Sequence, residues 1–310
     1  MKRLWPILVL LGLAGRLSAD TAPSAHKQPS EPDDLYGLGQ QLFDAYAPPE
    51  VKDAYQFPTK EQWDDFAARL DRALKGNSLD DLATLAPEAR DALAALRALP
   101  GYEAYADWLE QRIDEMDAAG QVLSRRPAPT APRQGASHIP HYEVWEARMR
   151  SRPVPADAAA LMPGLKGAFA AEGVPPEMAW IAEAESTLNP DARSPAGAVG
   201  LFQLMPETAR MEGLSTFLPD ERSNPDKSAH AAAKLLRALY ARFSTWPLAI
   251  AAYNAGEGRV RRALESSGTG DFAGTEALLP AQTRMYVPKV CALVEARTGT
   301  NPEHLPAPRL

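Results

Sequence analysis

The sequence of 310 residues has little of several features that mark particular classes of protein. It has a single cysteine, Cys291, so no disulfide can form within the chain and the fold depends on its hydrophobic core. The five histidines are scattered and give no metal-ligand spacing, so we expect neither a metal nor another cofactor. Acidic residues outnumber basic ones, 40 to 33, and the formal net charge of -7 gives no support to a nucleic-acid partner.

A long hydrophobic run is also missing. The apolar stretch at residues 4–14 is well short of the roughly 20 residues that a membrane-spanning helix needs. It follows Lys2 and Arg3 and precedes small residues at 17–19, which is the order of a secretory signal peptide. The alternative is an uncleaved anchor. We predict a signal peptide at 1–19, and a mature protein that is secreted, periplasmic or envelope-associated, with no stable membrane anchor.

The first half of the chain reads as a flexible leader and a helical module. Residues 20–34 are rich in Pro, Ser, Ala and Asp, as in a leader, whereas residues 35–124 have helical periodicity. Thr59 is placed as the N-cap of one helix. Two stripes of large side chains recur at helical spacing: Trp63, Phe66, Ala67, Leu70 and Leu74, then Tyr105, Trp108, Leu109, Ile113 and Met116. Core packing is favoured over a sugar-binding face, and the role of the module stays open.

A Pro-rich segment at residues 125–137 is the predicted linker, because its prolines cannot continue a helix and it contains little to bury. Helical signals return in residues 138–300, which we predict to be a second domain that folds by itself, followed by a tail at 301–310. Asn224-Pro225 starts one helix there, and residues 282–298 form the last one before Gly299. The predicted fold class is therefore mostly α.

Glu185 is the most informative residue of this second domain. It shares a helix face with the apolar residues Ile181 and Ala182, whereas Glu183 projects to the other side. An unpaired buried charge is costly, so a carboxyl group on an apolar face needs an explanation. The spacing alone is compatible with two explanations. One is a buried ion pair, and the other is a carboxylic acid kept protonated near neutral pH because desolvation raises its pKa.

The motifs after Glu185 resemble those of a known family. The matching residues, in order, are Glu185-Ser186, Ser194, Gly197-Ala198, Gly200-Leu201-Phe202-Gln203, Met205-Pro206, Thr208-Ala209, Tyr253-Asn254-Ala255-Gly256 and the run Tyr286-Val287-x-Lys289. They are similar to the pattern of the lytic murein transglycosylases with a soluble-lytic-transglycosylase domain, which are related to goose-type lysozyme. The resemblance covers roughly residues 140–299 and implies a lysozyme-like helical catalytic domain.

Carried over residue by residue, the resemblance implies that Glu185 is the sole catalytic carboxyl group and that Ser186 helps to place it. The substrate-binding residues that it implies are Ser186, Ser194, Gln203, Met205, Tyr253, Asn254 and Gln282. Two positions depart from the family pattern. Leu188 replaces an aromatic residue, which is a packing difference, and Gln282 replaces a glutamate, which removes a charge from the subsite wall.

The implied substrate is peptidoglycan. The implied reaction cleaves the β-1,4 bond between N-acetylmuramic acid and N-acetylglucosamine and leaves 1,6-anhydro ends. Most glycoside hydrolases need two carboxylates, but here the C6 hydroxyl of the substrate replaces water as the nucleophile. Two alternatives stay open: a muramidase that hydrolyses the same bond, and a non-catalytic peptidoglycan-binding protein.

Overall fold

The computed structural model describes most of the chain beyond residue 58. The described residues are 2–3, 55–56, 59–98, 103–125, 138–194 and 196–309, with single positions at 40, 44, 49 and 52. The predicted signal peptide beyond Arg3, the leader, and linker residues 126–137 lie outside them. Two-residue strands, Lys2–Arg3 and Tyr55–Gln56, pair in parallel. The other regular elements that the structure describes are helices, so the mostly α prediction is confirmed. None of these helices is long and apolar enough to cross a membrane.

Four helices of the N-terminal part lie within the described residues. They are α1 (Lys60–Lys75), α2 (Leu79–Ala83), α3 (Ala86–Ala98) and α4 (Glu103–Ser124). Thr59 caps α1 as predicted: its side chain accepts a hydrogen bond from the Gln62 amide, and the Gln62 side chain accepts one from the Thr59 amide. The α4 helix packs against α2 and α3.

The second predicted stripe lies on α4 and belongs to the core. Leu109, Ile113 and Met116 are buried, and Trp108 is partly buried against them. Core packing is therefore confirmed for these four residues. The side chains of the first stripe and of Tyr105 lie outside the described residues.

The C-terminal part contains nine further α-helices among the described residues. They are α5 (Tyr142–Ser151), α6 (Ala158–Ala171), α7 (Ile181–Ser186), α8 (Pro206–Met211), α9 (Pro225–Phe243), α10 (Trp246–Ala255), α11 (Glu257–Ser267), α12 (Phe272–Thr275) and α13 (Ala281–Thr298). Short 3-10 helices lie at Pro176–Trp180, Glu221–Ser223, Glu276–Leu278 and Pro302–His304. Asn224 caps α9 by accepting from the Lys227 amide, and Gly299 ends α13 in the left-handed region, both as predicted.

Helix α13 is the centre of the molecule. Residues 285–294 are all buried, and the helix packs against α4, α5, α7 and α10. A helix that is buried on all sides needs neighbours on all sides. The N-terminal helix α4 is one of these neighbours, so the helices before and after the predicted linker share one core.

Several polar contacts join the two parts as well. The Ala281 amide donates to the Gly76 carbonyl at 2.9 Å, and the Arg284 guanidinium donates to the Asn77 carbonyl at 2.7 Å. The buried Lys289 ammonium lies 3.2 Å from the Glu115 carboxylate of α4. The linker position stays a prediction, but the part that follows it is not isolated from the part before it.

Candidate active site

The helix that carries Glu185 is short. A 3-10 turn at Pro176–Trp180 leads into α7, which ends at Ser186. Thr187 and Leu188 follow with φ of 54° and 63°. Consecutive left-handed residues cannot continue a right-handed helix, so the chain turns away immediately after α7.

The apolar face of α7 that Ile181 and Ala182 were predicted to form is buried. Met178, Ile181, Ala182 and Leu188 are each at 0% exposure, which anchors α7 firmly in the core. Because its backbone is held on this face, Glu185 has little freedom to move.

The two carboxyl groups of α7 have different partners. Glu183 is fully buried and forms a two-bond ion pair with Arg297, with N–O distances of 2.6 and 2.8 Å. Arg297 also donates to the carbonyl oxygens of Arg152 and Pro153. The buried ion pair that the sequence left open as an explanation for Glu185 therefore belongs to Glu183.

Glu185 is half-buried and accepts a hydrogen bond from the Tyr286 hydroxyl. Burial raises the pKa of its carboxyl group, while the Tyr286 hydrogen bond and the positive charge of Arg112 lower it in part. Among the residues that the structure describes, the Glu185 carboxylate has no ion-pair partner. A carboxyl group with a raised pKa keeps its proton to a higher pH than a free one, so it can donate a proton and take one back, as a general acid and base must.

Tyr286 was not predicted as a site residue. It lies on α13, is at 0% exposure, and its own pKa is raised well above the usual value, chiefly by burial and next by the charge of Glu185. Its hydroxyl therefore stays protonated and remains a donor to Glu185. The sequence contained a signal for it, since Tyr286 belongs to the Tyr-Val-x-Lys run.

The loop after α7 is held by its own side chains. The Ser194 hydroxyl accepts from the Ala198 amide at 3.0 Å, and Gly197 has a φ of 88°. The Arg222 guanidinium donates to the Gly197 and Leu204 carbonyls at 2.7 and 3.0 Å. The loop is therefore built around a buried arginine.

We expect Gly200→Ala to destabilise this loop strongly. Gly200 has a φ of 83°, and a Cβ atom there would lie 2.0 Å from the Arg222 carbonyl oxygen. Strain and the clash together should lower the free energy of unfolding by about 3 kcal/mol. Gly213 is the matched control, because its φ is 84° but nothing lies within 4 Å of an added Cβ. If chemical denaturation shows equal losses of unfolding free energy for Gly200→Ala and Gly213→Ala, the predicted clash at Gly200 is contradicted.

Ser186 and Gln203 use their polar atoms inside the protein. The Ser186 hydroxyl, which is buried, donates to the Leu201 carbonyl at 2.9 Å and ties α7 to the loop. The Gln203 amide donates to the Ala192 and Gly200 carbonyls at 3.2 and 3.0 Å. Both side chains therefore hold backbone of the loop after α7.

The remaining predicted site residues lie on three elements. The Tyr253 hydroxyl on α10 donates to the Phe202 carbonyl at 2.6 Å. Its pKa is raised well above the usual value, first by burial and then by the charge of Glu185. The Asn254 side chain accepts from the Thr283 hydroxyl at 2.8 Å, beside the half-buried Gln282. Met205, before α8, is 42% exposed and is accessible to a ligand.

Part of the chain is similar to known proteins. Residues 166–274 match the family described as Transglycosylase SLT domain. The chain carries a transglycosylase SLT domain. The match includes Glu185 and the Tyr253-Asn254 pair and lies inside the region of the predicted resemblance. Gln282, Tyr286 and the whole of α4 lie outside the matched residues.

Two curated relatives and one solved structure are similar over part of the chain. Membrane-bound lytic murein transglycosylase D of Escherichia coli K12 is 36% identical over 133 residues, which are 42% of this chain and 29% of that protein. The soluble lytic murein transglycosylase of Salmonella typhimurium is 39% identical over 120 residues, 36% of this chain and 19% of that protein. The 70 kDa soluble lytic transglycosylase of Escherichia coli superposes with a TM-score of 0.41 at 19% identity, over 99% of this chain and 53% of that one. The matched part thus spans less than a third of either curated relative.

Proposed function

We propose that the chain is a peptidoglycan lytic transglycosylase with Glu185 as its catalytic acid and base. The observation that carries the proposal is the state of Glu185 within an SLT domain. It is a half-buried carboxyl group that has no ion-pair partner among the described residues, has a raised pKa and accepts a hydrogen bond from Tyr286. The relatives that match this domain are named as murein transglycosylases.

In the proposed reaction, protonated Glu185 gives its proton to the glycosidic oxygen between N-acetylmuramic acid and N-acetylglucosamine. The bond from C1 of the muramic ring to this oxygen breaks, and N-acetylglucosamine leaves with the proton as its 4-hydroxyl group. The carboxylate then takes a proton from the C6 hydroxyl of the same muramic ring, whose oxygen bonds to C1 and closes a 1,6-anhydro ring. Water is not consumed, and the internal nucleophile has the entropic advantage of being already in place. The Tyr286 hydrogen bond orients the carboxyl group in both steps.

The other site residues fit substrate-binding roles of two kinds. Met205 offers an exposed apolar surface to a sugar, and Gln282 offers a half-buried amide. The second group holds the structure around the site through the hydrogen bonds described above. It consists of Ser186, Ser194, Gln203, Tyr253 and Asn254. A peptidoglycan substrate places the protein in the periplasm or at the cell envelope, in agreement with the signal peptide predicted from the sequence.

Digestion of purified peptidoglycan followed by mass spectrometry of the released muropeptides tests the proposal. Anhydro-muropeptides are the expected products. Products heavier by one water would instead indicate a hydrolytic muramidase, and binding without release of muropeptides would indicate a non-catalytic protein.

We expect Tyr286→Phe to lower kcat by roughly 10-fold or more, because a hydrogen bond to a charged group contributes about 1.5–3 kcal/mol. Phenylalanine fits the same buried space, so the melting temperature should change little. Loss of this hydrogen bond also raises the pKa of Glu185, so the alkaline limb of the kcat/KM profile should move to higher pH. An unchanged kcat and profile would show that Tyr286 does not orient the catalytic acid.

A further inference from the structure

Helix α4 contributes two buried charged residues next to α13. Arg112 and Glu115 are 6% and 1% exposed, and their side chains approach to 3.3 Å. The fully buried Lys289 ammonium lies 3.2 Å from the other Glu115 oxygen and donates to the Gln111 carbonyl at 3.3 Å. Burying charges costs several kcal/mol per ion before their attraction is counted, so such a cluster is weak evidence for a gain in stability.

The position of this charged cluster suggests a role other than stabilising the fold. Lys289 follows Tyr286 by three residues on α13, so both lie on the same side of that helix. The Gln111 side-chain amide donates to the Thr187 hydroxyl at 3.2 Å, at the left-handed turn that ends α7. The α4 helix therefore contacts the end of the catalytic helix and the helix that carries the hydrogen-bond donor to Glu185.

We propose that Arg112 and Glu115 of α4, a helix outside the matched SLT domain, are positioning residues for the catalytic acid. Gln111 anchors the end of α7, while the charges of Arg112 and Glu115 set the electrostatic field at Glu185. This inference rests on the proposed function of Glu185.

The electrostatic effects have opposite signs. Arg112 favours the ionised form of Glu185 and lowers its pKa, as Lys289 does more weakly, whereas Glu115 favours the protonated form and raises it. The other titratable groups that face Glu185 are Tyr286 on α13 and Tyr253 on α10, both of which stay protonated because burial raises their pKa values. Glu183 faces away, in its pair with Arg297.

The pH dependence of cleavage by the full-length chain tests the proposal. Glu185 must be protonated to act as the acid, so kcat/KM falls as the pH rises through its pKa. Arg112→Gln removes a positive charge, which raises the pKa, so the alkaline limb should move to higher pH. Glu115→Gln removes a negative charge, which lowers the pKa, so the same limb should move to lower pH. General loosening of the fold would not move the limb in opposite directions for two residues of one helix.

Two controls accompany this pair. Arg112→Lys keeps the charge and should restore the parent profile, and Glu110→Gln, on the exposed side of α4, should leave it unchanged. Superposable profiles for the parent, Arg112→Gln and Glu115→Gln would overturn the proposal, as would shifts in the same direction. If Arg112→Gln does not fold, the Glu115→Gln profile decides alone, since it must move to lower pH.

A direct titration separates this proposal from the proposed function. The carboxyl carbon of Glu185 can be followed by ¹³C NMR in glutamate-labelled protein and assigned by its loss in Glu185→Gln. The expected result is a higher midpoint in Arg112→Gln and a lower one in Glu115→Gln. Absence of anhydro products from the parent protein would defeat the proposed function while leaving these midpoints intact. Unchanged midpoints in a parent that does release anhydro products would defeat the role of α4 alone.

Discussion

Glu185→Gln is expected to lower the rate of anhydro-muropeptide release by about 10²–10⁴-fold or more, while the protein remains folded. An amide can neither give the proton that the glycosidic oxygen needs nor accept one from the C6 hydroxyl. The amide keeps the size of the carboxyl group and can still accept a hydrogen bond from Tyr286, so the fold should be retained. The rate is measured by quantifying muropeptides by mass spectrometry, and folding by circular dichroism and thermal melting.

Glu183→Gln is the matched control on the same helix. It breaks the buried pair with Arg297, and removal of one partner of such a pair costs about 3–5 kcal/mol, so the melting temperature should fall. The molecules that remain folded should cleave at nearly the parent rate, because Glu183 faces away from Tyr286. An active Glu185→Gln variant beside a folded but inactive Glu183→Gln variant would reverse the roles of the two carboxyl groups.

Removal of residues 1–137 is expected to leave a fragment that is insoluble or has lost most of its activity. The sequence alone predicts that the part after the linker folds by itself, but contacts across the linker make the opposite outcome the expected one. Without α4, Lys289 loses Glu115 and the Gln111 carbonyl, Thr187 loses the Gln111 amide, and a buried side of α13 is uncovered. Solubility, circular dichroism and muropeptide release by the purified fragment are the measurements.

Cutting the linker without removing the first part provides the control. A protease site placed within residues 126–137 should give two pieces that stay associated after cleavage and remain active, because the helices on either side pack together. A fragment 138–310 with parent stability and activity would show that the contacts of α4 are dispensable, and the two parts would then be separate domains.

Local features of the chain were predictable from the sequence. Caps at Thr59 and Asn224 and the stop at Gly299 each depend on residues within one turn of the helix end, so a short stretch of sequence contains the whole signal. Helical spacing likewise placed Glu183 and Glu185 on different sides of α7, but it did not show that Glu183 is the more deeply buried of the two. The motifs between Glu185 and Gly256 were dense enough to indicate the SLT domain that residues 166–274 match.

Only the tertiary structure decided which carboxyl group is paired and which is free to act as an acid. Glu183 meets Arg297, and Glu185 meets Tyr286, across more than 100 residues of chain. The charges of Arg112 and Glu115 reach Glu185 from a helix that the sequence assigned to a separate module. A pKa depends on burial and on distances to charges, and these distances arise from the packing of α4, α7 and α13 together, for which a linear sequence has no local pattern.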